Sequence, residues 1–145
     1  MDSNMEMNAM HVKSLTDVYS CSAQISKDEL KHLQALGVKS VICFRPDGEH
    51  PEQPEFDDLS REASELGLVC YYLPYDVAQV SSELMQQMHR IIEEAPKPAH
   101  AFCKTGRRAA LPLAFSKLKN GESVESVVNE FKAHGFDVEV LKNHL

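Results

Sequence analysis

"AFCKTGRRAA" (residues 101–110) sets a thiol, a glycine and three cations within six positions of a chain that is otherwise acidic. On its N-terminal side "PAHAFC" (98–103) reads as a buried strand, and on its C-terminal side residues 108–119 read as a helix. The stretch is then a strand-to-helix turn, and positive charge there needs a reason. A helix N-terminus already behaves as about half a positive charge, so Arg107 and Arg108 each cost about 0.3–1 kcal/mol unless something negative offsets them. An anion held in the turn removes the conflict. Free backbone N–H groups form a cradle, Gly106 lets the main chain curl closely, and Arg108 can add a bidentate clamp. The same field favours the thiolate of Cys103, its nucleophilic form. The plainer alternative is a tight turn with a buried cysteine and two solvated arginines.

Working outward, helices and strands alternate. "SKDELKHLQALG" (26–37) opens with Ser26 and Glu29 in capping-box spacing, repeats Leu30, Leu33 and Leu36, and stops at Gly37. "VKSVICF" (38–44) follows as a buried strand. "PEFDDLSREASELG" (54–67) repeats the scheme, with Pro54 in the first turn, and "LVCYYL" (68–73) is another strand. "SSELMQQMHRIIEEA" (81–95) puts Leu84, Met85, Met88, Ile91, Ile92 and Ala95 on one stripe. "SVESVVNEFKAHG" (123–135) does the same with Val124, Val127, Val128 and Phe131. Such alternation predicts an α/β fold in a single domain, a mostly parallel central sheet with helices on both faces. Ligands of such sheets bind beyond the carboxyl ends of the strands, which singles out "RPDGEH" (45–50), "PYDVAQ" (74–79) and "CKTGRR" (103–108).

Composition narrows the function. The 145 residues, 43% hydrophobic and 26% charged, suit one globular domain with a real core. We expect residues 1–10, "MDSNMEMNAM", to be a frayed Met-rich leader and 11–145 the catalytic domain. Fifteen Lys and Arg against twenty-two Asp and Glu give a net charge of -7, the wrong sign for general attraction to nucleic acid or an anionic membrane. Any anion must therefore meet a local basic site. Apolar runs such as "ALPLAF" (110–115) are too short to span a bilayer, so a cytoplasmic protein is expected. Cys21, Cys43, Cys70 and Cys103 form no CxxC pair, and Cys43 and Cys70 sit in apolar strand-like runs as buried small hydrophobes. The seven histidines show no HxH or HxxxH spacing, and the lone pair His100 and Cys103 falls short of the four convergent ligands a metal normally needs. No metal or cofactor is expected.

"CKTGRR" after an apolar strand resembles the active loop of the cysteine-dependent phosphatase superfamily, in which a Cys and an Arg bracket a phosphate-binding turn. "YSCSAQIS" (19–26), "VKSVICFRPDGE" (38–49) and "YYLPYD" (71–76), in that order, resemble the bacterial family named for the phosphatase-like domain of beta-lactamase-hydrolase-like proteins. The resemblance runs from about His11 to Asp137. It implies a fold similar to dual-specificity tyrosine phosphatases, in a family some of whose members are discussed as sulfur transferases. It also implies Cys103 as nucleophile, Arg108 as oxyanion clamp and the amides of Lys104, Thr105, Gly106 and Arg107 as the cradle. Tyrosine phosphatases place five residues between Cys and Arg, whereas four separate Cys103 from Arg108, as in the bacterial family. The shorter ring suits a terminal sulfur as well as a phosphoryl group. Phe102 and Ala109 stand where phosphatases commonly carry His and Ser or Thr.

Pro112, deep in a helix starting near Gly106, would remove a hydrogen bond to the Arg108 carbonyl, which predicts a kink or a later helix start. A phosphatase also needs an acid across the pocket for the leaving oxygen. Asp76 in "LPYDVAQ" is the candidate, the alternative being a solvated turn acid. Arg45 either meets a substrate anion or holds an acid such as Glu49 in a structural ion pair. The primary expectation is a phosphomonoesterase using a cysteinyl-phosphate and acting on a phosphorylated or other small anionic substrate. The rivals are a sulfur transferase using a Cys103 persulfide and a non-catalytic anion-binding module.

Overall fold

The capping box read at Ser26 forms as expected: Ser26 Oγ accepts the Glu29 amide at 3.2 Å and Glu29 Oε1 accepts the Ser26 amide at 2.8 Å. It starts the first helix of a computed structural model that describes residues 12–144. The expected leader, 1–10, lies outside the described residues. Along the chain come β1 (Lys13–Thr16), β2 (Tyr19–Ser22), α1 (Lys27–Ala35), β3 (Ser40–Cys43), α2 (Phe56–Glu65) and β4 (Val69–Tyr72). A 3₁₀ turn (Val77–Gln79), α3 (Ser82–Glu94), β5 (Ala99–Phe102), α4 (Arg107–Lys119), α5 (Val124–Ala133) and a second 3₁₀ turn (Glu139–His144) complete it. Among the described residues no helix is long and apolar enough to cross a membrane.

The five strands form one sheet in the order β1-β2-β5-β3-β4. All neighbours run parallel except β1 and β2. Side-chain alternation sends Val41, Cys43 and Phe102 to the face covered by Leu30 and Leu33 of α1 and Leu59 and Ala63 of α2. Ile42, Ala99 and Ala101 face Met85, Met88 and Ile92 of α3 together with Leu111 of α4 and Phe131 of α5. The predicted architecture, a mostly parallel sheet covered on both faces, is the one observed. β5 lies in the middle with all four residues buried, so the turn that follows it sits over the centre of the sheet.

Two local expectations need correction, and one pair of strands was not anticipated. The β1–β2 hairpin went unread, because its polar, four-residue strands show little pattern until β5 supplies a partner for β2. β4 is an edge strand paired only with β3, so Cys70 is half-buried rather than buried. Pro54 precedes the N-cap Glu55 instead of sitting in the first turn of α2.

Pro112 does not delay α4, which begins at Arg107. The carbonyl that Pro112 leaves without a helical donor, that of Arg108, accepts the Tyr75 hydroxyl at 2.7 Å. Next to it the Ala109 carbonyl accepts the buried Tyr19 hydroxyl, also at 2.7 Å. Two tyrosines from distant segments thus supply donors to the opening of the helix. Tyr75→Phe is expected to cost about 1–3 kcal/mol in urea unfolding, since it strands a part-buried carbonyl. Adding Pro112→Ala should recover part of that loss by restoring the helical N–H, and a strictly additive double variant would refute the account.

Candidate active site

β5 delivers Cys103 to the carboxyl edge of the sheet, where its amide donates to Ser22 O of β2 at 3.3 Å. The chain then turns through Lys104 and Thr105 to Gly106, whose φ of 101° is in the left-handed region. A Cβ there would meet Phe136 no closer than 3.6 Å, an ordinary contact. Glycine is therefore required by backbone conformation and not by space. The turn folds back so that the Gly106 amide donates to Cys103 Sγ at 3.0 Å. Cys103 is 0% exposed. Lys104 and Thr105 are exposed and Gly106 is buried.

Beneath the turn lies a buried polar pair that the sequence reading passed over. Ser22 Oγ gives its single proton to Ala23 O at 2.8 Å, so in its 2.8 Å contact with His100 Nε2 the ring nitrogen is the donor. His100 Nδ1 then accepts from Ser20 Oγ at 2.7 Å. His100 is fully buried, and burial pushes its pKa down to about 3, so it is a neutral strut between β2 and β5. Burial likewise pushes the thiols of Cys21 and Cys43 up to about 12, which leaves neither as a competing nucleophile.

Arg108, the second residue of α4, holds Glu49 in a bidentate pair, with Nη1 to Oε2 at 3.0 Å and Nη2 to Oε1 at 2.8 Å. Glu49 Oε1 also accepts Arg45 Nε at 2.8 Å. One carboxylate is thus shared by two guanidinium groups. The hydrogen bond from Arg108, followed by that from Arg45, holds the Glu49 carboxyl below its usual range, and Glu49 in turn raises Arg108. Arg45 is 5% exposed and also donates from Nη1 to Gln24 Oε1 at 3.0 Å. In this arrangement Arg45 positions Glu49, and Glu49 positions Arg108.

Asp76 follows β4 on the same side. It is exposed and caps the 3₁₀ turn, its Oδ1 accepting the Ala78 amide at 2.9 Å. Asp76, Tyr75, Glu49 and Arg108 line one cleft of about 580 Å³. The three segments singled out beyond the strand ends therefore converge, with Cys103, Arg108 and Asp76 at one end of the sheet. Two partners were not legible. Glu49 was visible only as a neighbour of Arg45, because Arg108 is 59 residues away. Tyr75 had a signal, since the proline four residues after Arg108 announces a carbonyl in need of an outside donor. Among the described residues no three His, Cys, Asp or Glu side chains are grouped to hold a metal ion.

The fold is that of the tyrosine-phosphatase-like proteins. A candidate phosphatase from Neisseria meningitidis superposes with a TM-score of 0.76 at 25% identity, covering 90% of this chain and 92% of that one. Tk-PTP in its active form gives 0.72 at 23% identity over 91% and 94% of the two chains. TpbA of P. aeruginosa, solved in complex with pTyr, gives 0.65 at 18% over 90% and 74%. At those identities the last two speak for the fold alone.

The family model for the beta-lactamase hydrolase-like protein, phosphatase-like domain, matches residues 11–119, and the chain belongs to that family. A beta-lactamase hydrolase-like protein of Agrobacterium fabrum is 32% identical over 107 residues, 73% of this chain and 25% of the relative. One from Xylella fastidiosa is 29% identical over 130 residues, 89% and 30%. The chain thus spans less than a third of the length of these relatives.

Proposed function

We propose that this domain is a phosphomonoesterase that works through a covalent cysteinyl-phosphate. The observation that carries the reading is the 3.0 Å hydrogen bond from the Gly106 amide to Cys103 Sγ, in a turn whose following arginine is already oriented by Glu49. Sγ attacks phosphorus in line, forming the S–P bond as the P–O bond breaks. Arg108 and the amides of Lys104, Thr105 and Arg107 stabilise the equatorial oxygens while the Gly106 amide stays on Sγ, and because Glu49 fixes the guanidinium beforehand, little reorganisation is needed. The leaving oxygen takes a proton from Asp76. Water, giving a proton back to Asp76, then attacks phosphorus, the S–P bond breaks, and phosphate departs with the thiolate restored. Substrates on this reading are phosphorylated or otherwise anionic molecules.

Asp76→Asn tests the reading, because Asn can still cap the 3₁₀ turn through its side-chain oxygen while losing the transferable proton. Hydrolysis of an aryl phosphate is expected to fall by about 10²–10⁴-fold. Sulfur transfer from thiosulfate to cyanide, measured beside it, distinguishes the persulfide carrier that the four-residue Cys-to-Arg spacing also suits. Sulfur transfer indifferent to Asp76, with no hydrolysis by the unaltered protein, would replace the phosphatase reading.

A further inference from the structure

The Cys103 turn has a second cavity, on the side away from Asp76. It holds about 560 Å³ between β1, the turn itself and the segment after α5, and Lys13, Arg107 and Phe136 line it. We propose that this cavity is a second anion subsite, and that the substrate is a small phosphomonoester carrying another phosphate or carboxylate group; the substrate part of this inference rests on the phosphatase reading.

Lys13 carries the argument. Its Nζ donates to His134 O at 2.9 Å and stands 4.9 Å from the centre of the Phe136 ring. Both partners are neutral, so the ammonium is held in place with its charge intact, and a third N–H remains for a ligand. Arg108 and Arg45, by contrast, share Glu49, and Lys117 pairs with Glu122 and Glu130. Arg107 adds an exposed cation to the same cavity, which Asp137 also lines, its Oδ1 accepting the Glu139 amide at 2.9 Å. In a chain of net charge -7, a pinned lysine beside an anion-binding turn marks where a second negative group is tolerated.

Strand register sets the separation. Lys13 lies opposite Cys21 of β2, and β2 pairs with β5, so its backbone stands two strand spacings, roughly 10 Å, from the strand that delivers Cys103. Lys13 and the turn residues Thr105, Gly106 and Arg107 line the same cavity, which joins the lysine to the turn across that spacing. Phosphoryl transfer at Cys103 and recognition at Lys13 are then separate tasks for the two sides of one turn.

Calorimetric titration of the Cys103→Ser protein with fructose 1,6-bisphosphate and fructose 6-phosphate at low salt tests this without turnover. The bisphosphate is expected to bind about tenfold tighter, Lys13→Met in that background to abolish the preference, and Lys13→Arg to keep it. Equal affinities for the two sugars, absence of binding to both, or a preference that survives Lys13→Met would overturn the subsite. A preserved preference in a protein whose unaltered form hydrolyses no phosphate ester would retain the subsite and remove the phosphatase reading instead.

Discussion

Cys103→Ser is expected to eliminate hydrolysis, a loss of about 10⁴-fold or more, while oxyanion binding persists. The reason lies in what touches the sulfur. A serine hydroxyl becomes a useful nucleophile only when a neighbouring base takes its proton. Among the described residues, the hydrogen-bond partner of Cys103 Sγ is the Gly106 N–H, at 3.0 Å, which can donate but not accept. A thiol is a far stronger acid than a serine hydroxyl and its sulfur a better nucleophile, so the turn suits sulfur and not oxygen. The cradle amides and Arg108 are untouched by the change, and inorganic phosphate should still protect the fold against heat in the variant. Steady-state hydrolysis and thermal unfolding with and without phosphate check both halves. Retained hydrolysis by Cys103→Ser would remove the covalent route.

Acid is expected to destabilise the protein well before its carboxylates titrate, through His100. Its folded pKa of about 3 lies below the 6.5 of an unfolded histidine. In that window the unfolded chain binds a proton the folded one refuses, so stability is full above 6.5 and declines as pH falls. Each unit is worth about 1.4 kcal/mol at most, giving a loss of about 2–3 kcal/mol by pH 4.5. That is a sizeable share of a total stability of about 5–15 kcal/mol. Below that pH Glu49 adds a loss of the same sign, because its carboxyl, held low by Arg108 and Arg45, contributes stability above its unfolded value that disappears as the folded value is passed. Urea unfolding between pH 7 and pH 4.5 should show the slope, and His100→Gln should flatten it whatever it does to stability at pH 7. An unchanged slope would place the acid sensitivity elsewhere.

The alternation of elements was legible because each carries its own punctuation. Ser26 and Glu29 announce α1, Gly37 and Gly67 follow the ends of α1 and α2, and the stripe of Met85, Met88 and Ile92 marks the inner face of α3. The Cys103 turn was legible because its charges contradict its position on a helix. What stayed hidden depends on contacts between remote segments. β1 and β2 become strands through pairing with each other and with β5, information absent from "KSLT" and "YSCS" themselves. Glu49 was legible as one possible partner of Arg45 four residues earlier, and only folding adds Arg108 as its second partner. Pro112 was read correctly as a lost hydrogen bond. The later helix start offered as one consequence does not occur, because a tyrosine hydroxyl from residue 75 serves the carbonyl that the proline leaves without a backbone N–H.

That borrowed hydroxyl limits how far the turn can be transplanted. Grafting residues 103–112 onto another scaffold would carry the thiol, the glycine and the arginine but leave the donor behind, so the recipient would inherit a frayed helix start. A portable version must bring residue 75 as well, or exchange the proline for an amino acid that closes the helical ladder by itself.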